Sequence, residues 1–130
     1  MYQKLVVVGN LGNDPEMRYM PDGRAVTNFS LATNRKWNGG EETTWFRIAV
    51  WGNQAEACNQ YLAKGRRVLV EGRLNPDPQT GGPRTFVRND GSMGTSFEIT
   101  AQSVQFMGGG NGGDHAASTA PTQEEDDIPF

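Results

Sequence analysis

The chain has 130 residues, 35% hydrophobic and 21% charged, with 12 basic against 15 acidic side chains for a formal charge of −3. That length holds one domain plus an appendage, and a single cysteine excludes an intramolecular disulfide. Met1-Tyr2-Gln3-Lys4 lacks the apolar core of a signal peptide, and no stretch is long and apolar enough for a membrane helix, so the cytoplasm is the expected compartment.

Leu5-Val6-Val7-Val8 is a β-branched run that predicts a first strand, ended by Gly9 and a loop with Gly12, Pro15 and the turn Pro21-Asp22-Gly23. Residues 25–36 read as a second strand. Asn38-Gly39-Gly40 signals a hairpin, because these residues accept the positive φ a tight turn needs. The third strand covers 43–51. A helix is predicted over 54–64, with Asn53 as N-cap, Glu56 completing a capping box and Gly65 as the stop. Within it Cys58, beside Ala55 and Leu62, is expected as a small buried hydrophobe. Strands over 67–74 and 97–106 follow, separated by a Pro- and Gly-rich excursion from Pro76 to Gly94. The order β-β-β-α-β-β has no crossover helices of the parallel-sheet kind. It predicts an all-β domain with one helix, closed as a five-stranded barrel of the OB type.

The third strand carries the chemistry. Side chains alternate across a strand, so Phe46, Ile48 and Val50 form a core stripe while Trp45, Arg47, Ala49 and Trp51 face the other way. Two tryptophans around an arginine make a poor outer surface unless something flat and anionic covers them. Trp37 lies across the same hairpin, which gathers all three tryptophans of the chain. Indole rings among Lys4, Arg18, Arg35, Lys36, Arg47 and Lys64 suit unpaired bases and phosphates, and the stacking is sequence-tolerant because every base has a π face. Bases in a duplex are already stacked on one another. The plainer alternative is that some of these tryptophans pack into the barrel or an oligomer interface.

No catalytic constellation is present in the sequence. His115 is the lone histidine and follows the predicted domain, no Cys/His cluster offers a metal site, and no Gly-rich loop joins a strand to a helix. A binding protein without cofactor or metal is expected, not an enzyme.

Charge divides the chain. All 12 Lys and Arg lie between Lys4 and Arg88, and ten of the acids lie in residues 1–107, leaving the body at +2, whereas Asp114 and Glu124 to Asp127 give the remainder −5. Three segments are expected: a barrel over 1–107, a flexible glycine-rich linker over 108–123, and an acidic tip over 124–130. The tip ends Asp126-Asp127-Ile128-Pro129-Phe130. An apolar end behind a run of carboxylates fits a partner's hole with a basic rim.

Several blocks in register resemble bacterial single-stranded DNA-binding proteins. They are Val8-Gly9-Asn10-Leu11-Gly12-Asn13-Asp14-Pro15-Glu16 with Arg18-Tyr19-Met20, Phe29-Ser30-Leu31-Ala32-Thr33, Trp45-Phe46-Arg47-Ile48, Tyr61-Leu62-Ala63-Lys64-Gly65 and Val70-Glu71-Gly72-Arg73-Leu74. Asp126 to Phe130 repeats that family's partner-binding tip. The resemblance implies an OB-fold, usually a homotetramer, that coats single-stranded DNA during replication, recombination and repair, in a nucleoid-associated setting. It implies base stacking at Trp37, Trp45 and Trp51, and basic residues along the DNA path at Lys4, Arg18, Arg47 and Lys64. It implies recruitment of helicases, exonucleases and polymerase-associated proteins through the tip. This sequence departs from the pattern in a short Trp37–Trp45 hairpin loop, a short tail, and a longer loop before the last strand with Pro76, Pro78 and Pro83. There Phe86 is the candidate for a further stacking position. Two rivals are an RNA-binding module of the cold-shock sort, which lacks support from closely spaced Phe and Tyr, and a pure interaction hub.

Overall fold

A computed structural model describes residues 1–107; the segments 108–123 and 124–130, with His115 and the Asp126–Phe130 tip, lie outside the described residues. The elements run β1 (Leu5–Leu11), β2 (Glu16–Tyr19), β3 (Ala25–Trp37), β4 (Gly40–Trp51), α1 (Asn53–Tyr61), β5 (Arg67–Leu74), β6 (Arg84–Val87) and β7 (Met93–Met107). β1 pairs with β5, β5 with β7, β7 with β4 and β4 with β3, and a short β3–β1 pairing at Asn10–Ala32 and Leu11–Leu31 closes the ring. Among the described strands, only β4 and β7 run parallel. This is the five-stranded OB-fold barrel, with β2 added on β3 and β6 on β7.

Closure requires strands to approach each other tightly. A Cβ on Gly9 would run into the Ala32 carbonyl, and one on Gly72 into the Thr100 carbonyl. Both glycines let neighbouring backbones come close where the sheet coils. Inside, Leu11, Phe29, Leu31, Ile48, Val50, Val68, Val70 and Ile99 form the core, with Cys58 and Leu62 from the helix side. Burial pushes the Cys58 thiol up to about 11, so it is a neutral packing group at physiological pH.

The helix is shorter than the sequence predicts and is capped differently. It starts from Gly52, whose φ of 78° turns the chain out of β4, and no side chain caps it; Asn53 and Glu56 lie inside. The first-turn bond comes from the Ala55 N–H to the Gly52 carbonyl. At the other end the last helical bond is Leu62 N–H to Cys58 O. Asp14 Oδ1 then accepts from the Lys64 N–H, and the Leu11 carbonyl accepts from the Gly65 N–H. Tertiary hydrogen bonds to the β1–β2 segment therefore end the helix before Gly65 does. Gln54 anchors the helix to β7, donating to the Gln102 carbonyl at 3.2 Å and accepting from the Val104 N–H at 3.0 Å. Those groups flank the register shift in β7, where Glu71 pairs with Ser103 and Gly72 with Ala101. The side chain takes up backbone groups of β7 beyond Thr100, where its pairing with β4 has ended.

Two strands were not legible in the sequence. β2 pairs with β3 through a hairpin at Pro21-Asp22-Gly23, where Gly23 has φ 92°. β6 pairs with the early part of β7, so β7 begins at Met93 rather than at 97. The β3–β4 hairpin forms as expected at Asn38-Gly39, but neither residue adopts positive φ. The Trp37 ring lies beside Gly40, 3.4 Å from where a Cβ would sit, an ordinary van der Waals contact.

Candidate nucleic-acid interface

Cross-strand register lays out the outer face in rows. Arg18 sits opposite Val26, which sits opposite Trp51; Asn28 faces Ala49; Ser30 faces Arg47, which lies beside Glu98; Ala32 faces Trp45. On β6, Arg84 pairs with Ser96 and Phe86 with Gly94, extending the same face. Small side chains at Ser30, Ala32 and Ala49 keep its floor low, so the large rings and guanidinium groups stand above it.

Trp45 is 53% exposed. Its ring rests on Gly12, where a Cβ would come within 2.5 Å of the indole. Arg47 Nε lies 4.0 Å from Glu98 Oε2, and Arg84 Nε lies 3.7 Å from Glu98 Oε1. One half-buried carboxylate thus spaces two guanidinium groups along the face. These pairs are partly solvated and contribute little to stability, but they fix where the positive charge sits.

Phe86 is 43% exposed. It lies against Gly94, with Arg88 Cζ 5.4 Å from the ring centroid. The Arg88 guanidinium donates to the Met93 carbonyl at 2.7 Å, which holds it over the hairpin.

Trp51 is placed differently from the sequence expectation of an open ring. It is half-buried beneath Arg24, whose guanidinium carbon is 4.6 Å from the indole centroid. Asp22 clamps that arginine: Oδ1 accepts the Arg24 N–H at 3.0 Å and Oδ2 accepts Nε–H at 2.9 Å. The same bonds, the backbone one first, hold the Asp22 carboxyl below its usual range. A flat guanidinium on an indole is still a stacking surface, but its outermost plane belongs to Arg24.

Trp37 is exposed at the hairpin end with Arg35 Cζ 5.1 Å from its ring, and Arg35 also pairs with Glu42 at 3.1 Å. Alternation along β3 puts Trp37 in phase with Leu31 and Arg35, out of phase with the Ala32–Trp45 row. A ligand touching both indoles must pass around the hairpin.

The interface is therefore an antiparallel ribbon on an OB barrel, carrying half-exposed rings and guanidinium groups. Residues 2–107 match the single-strand binding protein family. The chain belongs to that family. Among curated relatives it is 40% identical over 113 residues to the single-stranded DNA-binding proteins of Neisseria meningitidis serogroup A and serogroup B. The matches span 83% of this chain and 61% of each relative, so the chain spans about three-fifths of the length of these relatives.

Within this family member, the sequence-predicted basic residues scatter. Arg18 shares the outer row with Trp51, and Arg47 lies between Trp45 and Glu98. Lys36 lies opposite Glu41 at the hairpin end, and Lys64 follows the helix. Lys4 pairs with Glu71 at 3.4 Å on the β1–β5 side of the barrel. Arg24, Arg84 and Arg88 were missed. Arg84 and Arg88 flank Phe86 at spacing two, a signal present in the sequence but obscured by the neighbouring prolines and glycines. Among the described residues, no group of His, Cys, Asp or Glu is arranged to hold a metal ion, and no helix is long and apolar enough to cross a membrane.

Proposed function

We propose that this chain binds single-stranded DNA without strong sequence preference, stacking bases on Trp45, Trp37, Phe86 and the Arg24–Trp51 pair. The phosphates would run past Arg47, Arg84, Arg18, Arg35, Lys36 and Lys64. The carrying observation is Trp45, a half-exposed indole fixed beside a guanidinium on a low floor of small side chains. Family membership and the names of the Neisseria relatives support the same ligand. Binding, not catalysis, is the proposed activity.

The wider role follows as part of the same proposal: protection of single strands during replication, recombination and repair in the cytoplasm. The residues Asp126, Asp127, Ile128, Pro129 and Phe130 are proposed to recruit helicases, exonucleases and polymerase-associated proteins. A homotetramer is proposed as the working form. Among the described residues, Leu5 to Gly9 pair with β5 along one edge only, while β3 takes up just Asn10 and Leu11 on the other. Val6 and Val8 point outward beside that open edge. An unpaired edge with exposed β-branched side chains fits a second copy of the chain.

Intrinsic tryptophan fluorescence tests the DNA reading, because all three tryptophans lie on the proposed path. Titration with oligothymidylate should quench the signal, less so as salt rises, while a matched duplex leaves it unchanged. Equal quenching by duplex, or none by any nucleic acid, overturns it.

A further inference from the structure

Nine glycines of this domain serve three different purposes. Gly23, Gly52, Gly65, Gly81 and Gly91 have positive φ and open space around them, as turns require. Gly9 and Gly72 abut backbone carbonyls where the barrel closes. Gly12 and Gly94 fit neither description. Neither has positive φ, so the backbone there accepts any L-residue. What a Cβ would meet at these two positions is chiefly an exposed side chain of the DNA-facing surface. At Gly12 the nearest atoms are Trp45 Cζ3 at 2.5 Å and Cη2 at 2.8 Å. At Gly94 they are Phe86 Cζ at 2.6 Å, then Arg88 Nη2 at 2.7 Å.

We infer that Gly12 and Gly94 are positioning residues for DNA binding: each is a flat seat on which a stacking ring lies against the sheet, one side covered and the other presented. The two seats arise independently. Gly12 follows β1 and receives a ring from β4 across β3, whereas Gly94 on β7 is the direct cross-strand partner of Phe86 on β6. In both cases a ring that would otherwise sample several rotamers in water is held by its contact with the backbone. A ring already fixed loses less freedom when a base stacks on it, so the seat raises affinity without touching the ligand. A methyl group at Gly12 fits only if the Trp45 ring is lifted, with Ser30 Oγ next at 3.1 Å; at Gly94 it displaces both the Phe86 ring and the Arg88 guanidinium that lies over it.

The inference rests on the stacking reading of Trp45 and Phe86, and the experiment separates the two. Oligothymidylate affinity is measured on the full chain for wild type, Gly12→Ala, Trp45→Ala and the double variant, over a range of salt. Gly12→Ala should weaken binding about tenfold, within the range for loss of one stacked base. Its salt dependence should stay that of wild type, because the phosphate contacts remain. In the Trp45→Ala background it should change nothing. In a Trp37→Phe/Trp51→Phe background, where Trp45 is the sole fluorophore, Gly12→Ala should also increase quenching of the free protein by iodide. If Trp45→Ala weakens binding but Gly12→Ala binds and quenches as wild type, the seat is wrong and the stacking reading stands. If Trp45→Ala binds as wild type, the stacking reading falls and the seat with it. The same cycle between Gly94→Ala and Phe86→Ala, run in an Arg88→Ala background so that only the ring can be displaced, decides the matter should Gly12→Ala fail to fold.

Discussion

On β4 the outward side chains include Trp45, Arg47 and Trp51; on β1 they are Val6 and Val8, with Lys4 just ahead. Both sets alternate with core residues of one barrel, Ile48 and Val50 in the first case and the partly buried Leu5 and Val7 in the second. The inward chemistry is interchangeable, because a core asks only for apolar volume. The outward chemistry is not. Rings and guanidinium groups offer π faces and delocalised charge, which match bases and phosphates. Valines beside an open backbone edge offer dry area and unpaired hydrogen-bonding groups, which match another strand. One barrel can thus present two different ligands with two faces, provided neither set of outward residues disturbs the core.

The largest expected effect lies on the β4 face. Trp45→Ala should cost about 1–3 kcal/mol of single-strand affinity, measured by fluorescence-anisotropy titration of a labelled oligothymidylate, with the thermal midpoint nearly unchanged because the indole is half-exposed. Comparable loss from changes on β1 would erase the distinction between the faces. Next comes the β1 face. Val8→Asp should dissociate the proposed assembly, read as a fall in mass by sedimentation or light scattering, while each barrel keeps its affinity for a short oligonucleotide. A wild-type chain that is already monomeric would sink the assembly reading of β1. The smallest effect sharpens the comparison charge by charge. Arg47→Gln should lower the slope of log affinity against log salt by about 0.7 for one lost contact to a single strand. Lys4→Gln should leave the slope unaltered, since Lys4 is paired with Glu71 on the β1–β5 side.

Much of this was readable before folding. The Phe46-Ile48-Val50 phase fixed which side of the third strand would be core, and Trp45 and Arg47 emerge where that phase put them. The barrel strands, the helix and the β3–β4 hairpin fall within a few residues of expectation. Short elements were harder. Glu16–Tyr19 and Arg84–Val87 are strands only because β3 and β7 supply their partners. Four residues carry too little periodicity to declare themselves.

The sequence by itself determined the kind of domain and the kind of side chain at each site, since alternation, turn residues and composition are local properties. Tertiary structure alone decided which rings are open. Trp45 and Trp51 are equivalent by alternation, yet Arg24, clamped by Asp22, covers one, while Gly12 seats the other. The distribution of charge was settled the same way, with Glu98 joining Arg47 on β4 to Arg84 on β6. Apart from the local Asp22–Arg24 clamp, these partners come from other segments of the chain, brought together only when the sheet closes. A contact between residues distant in sequence has no local signature, so exposure and pairing could be known only from the fold.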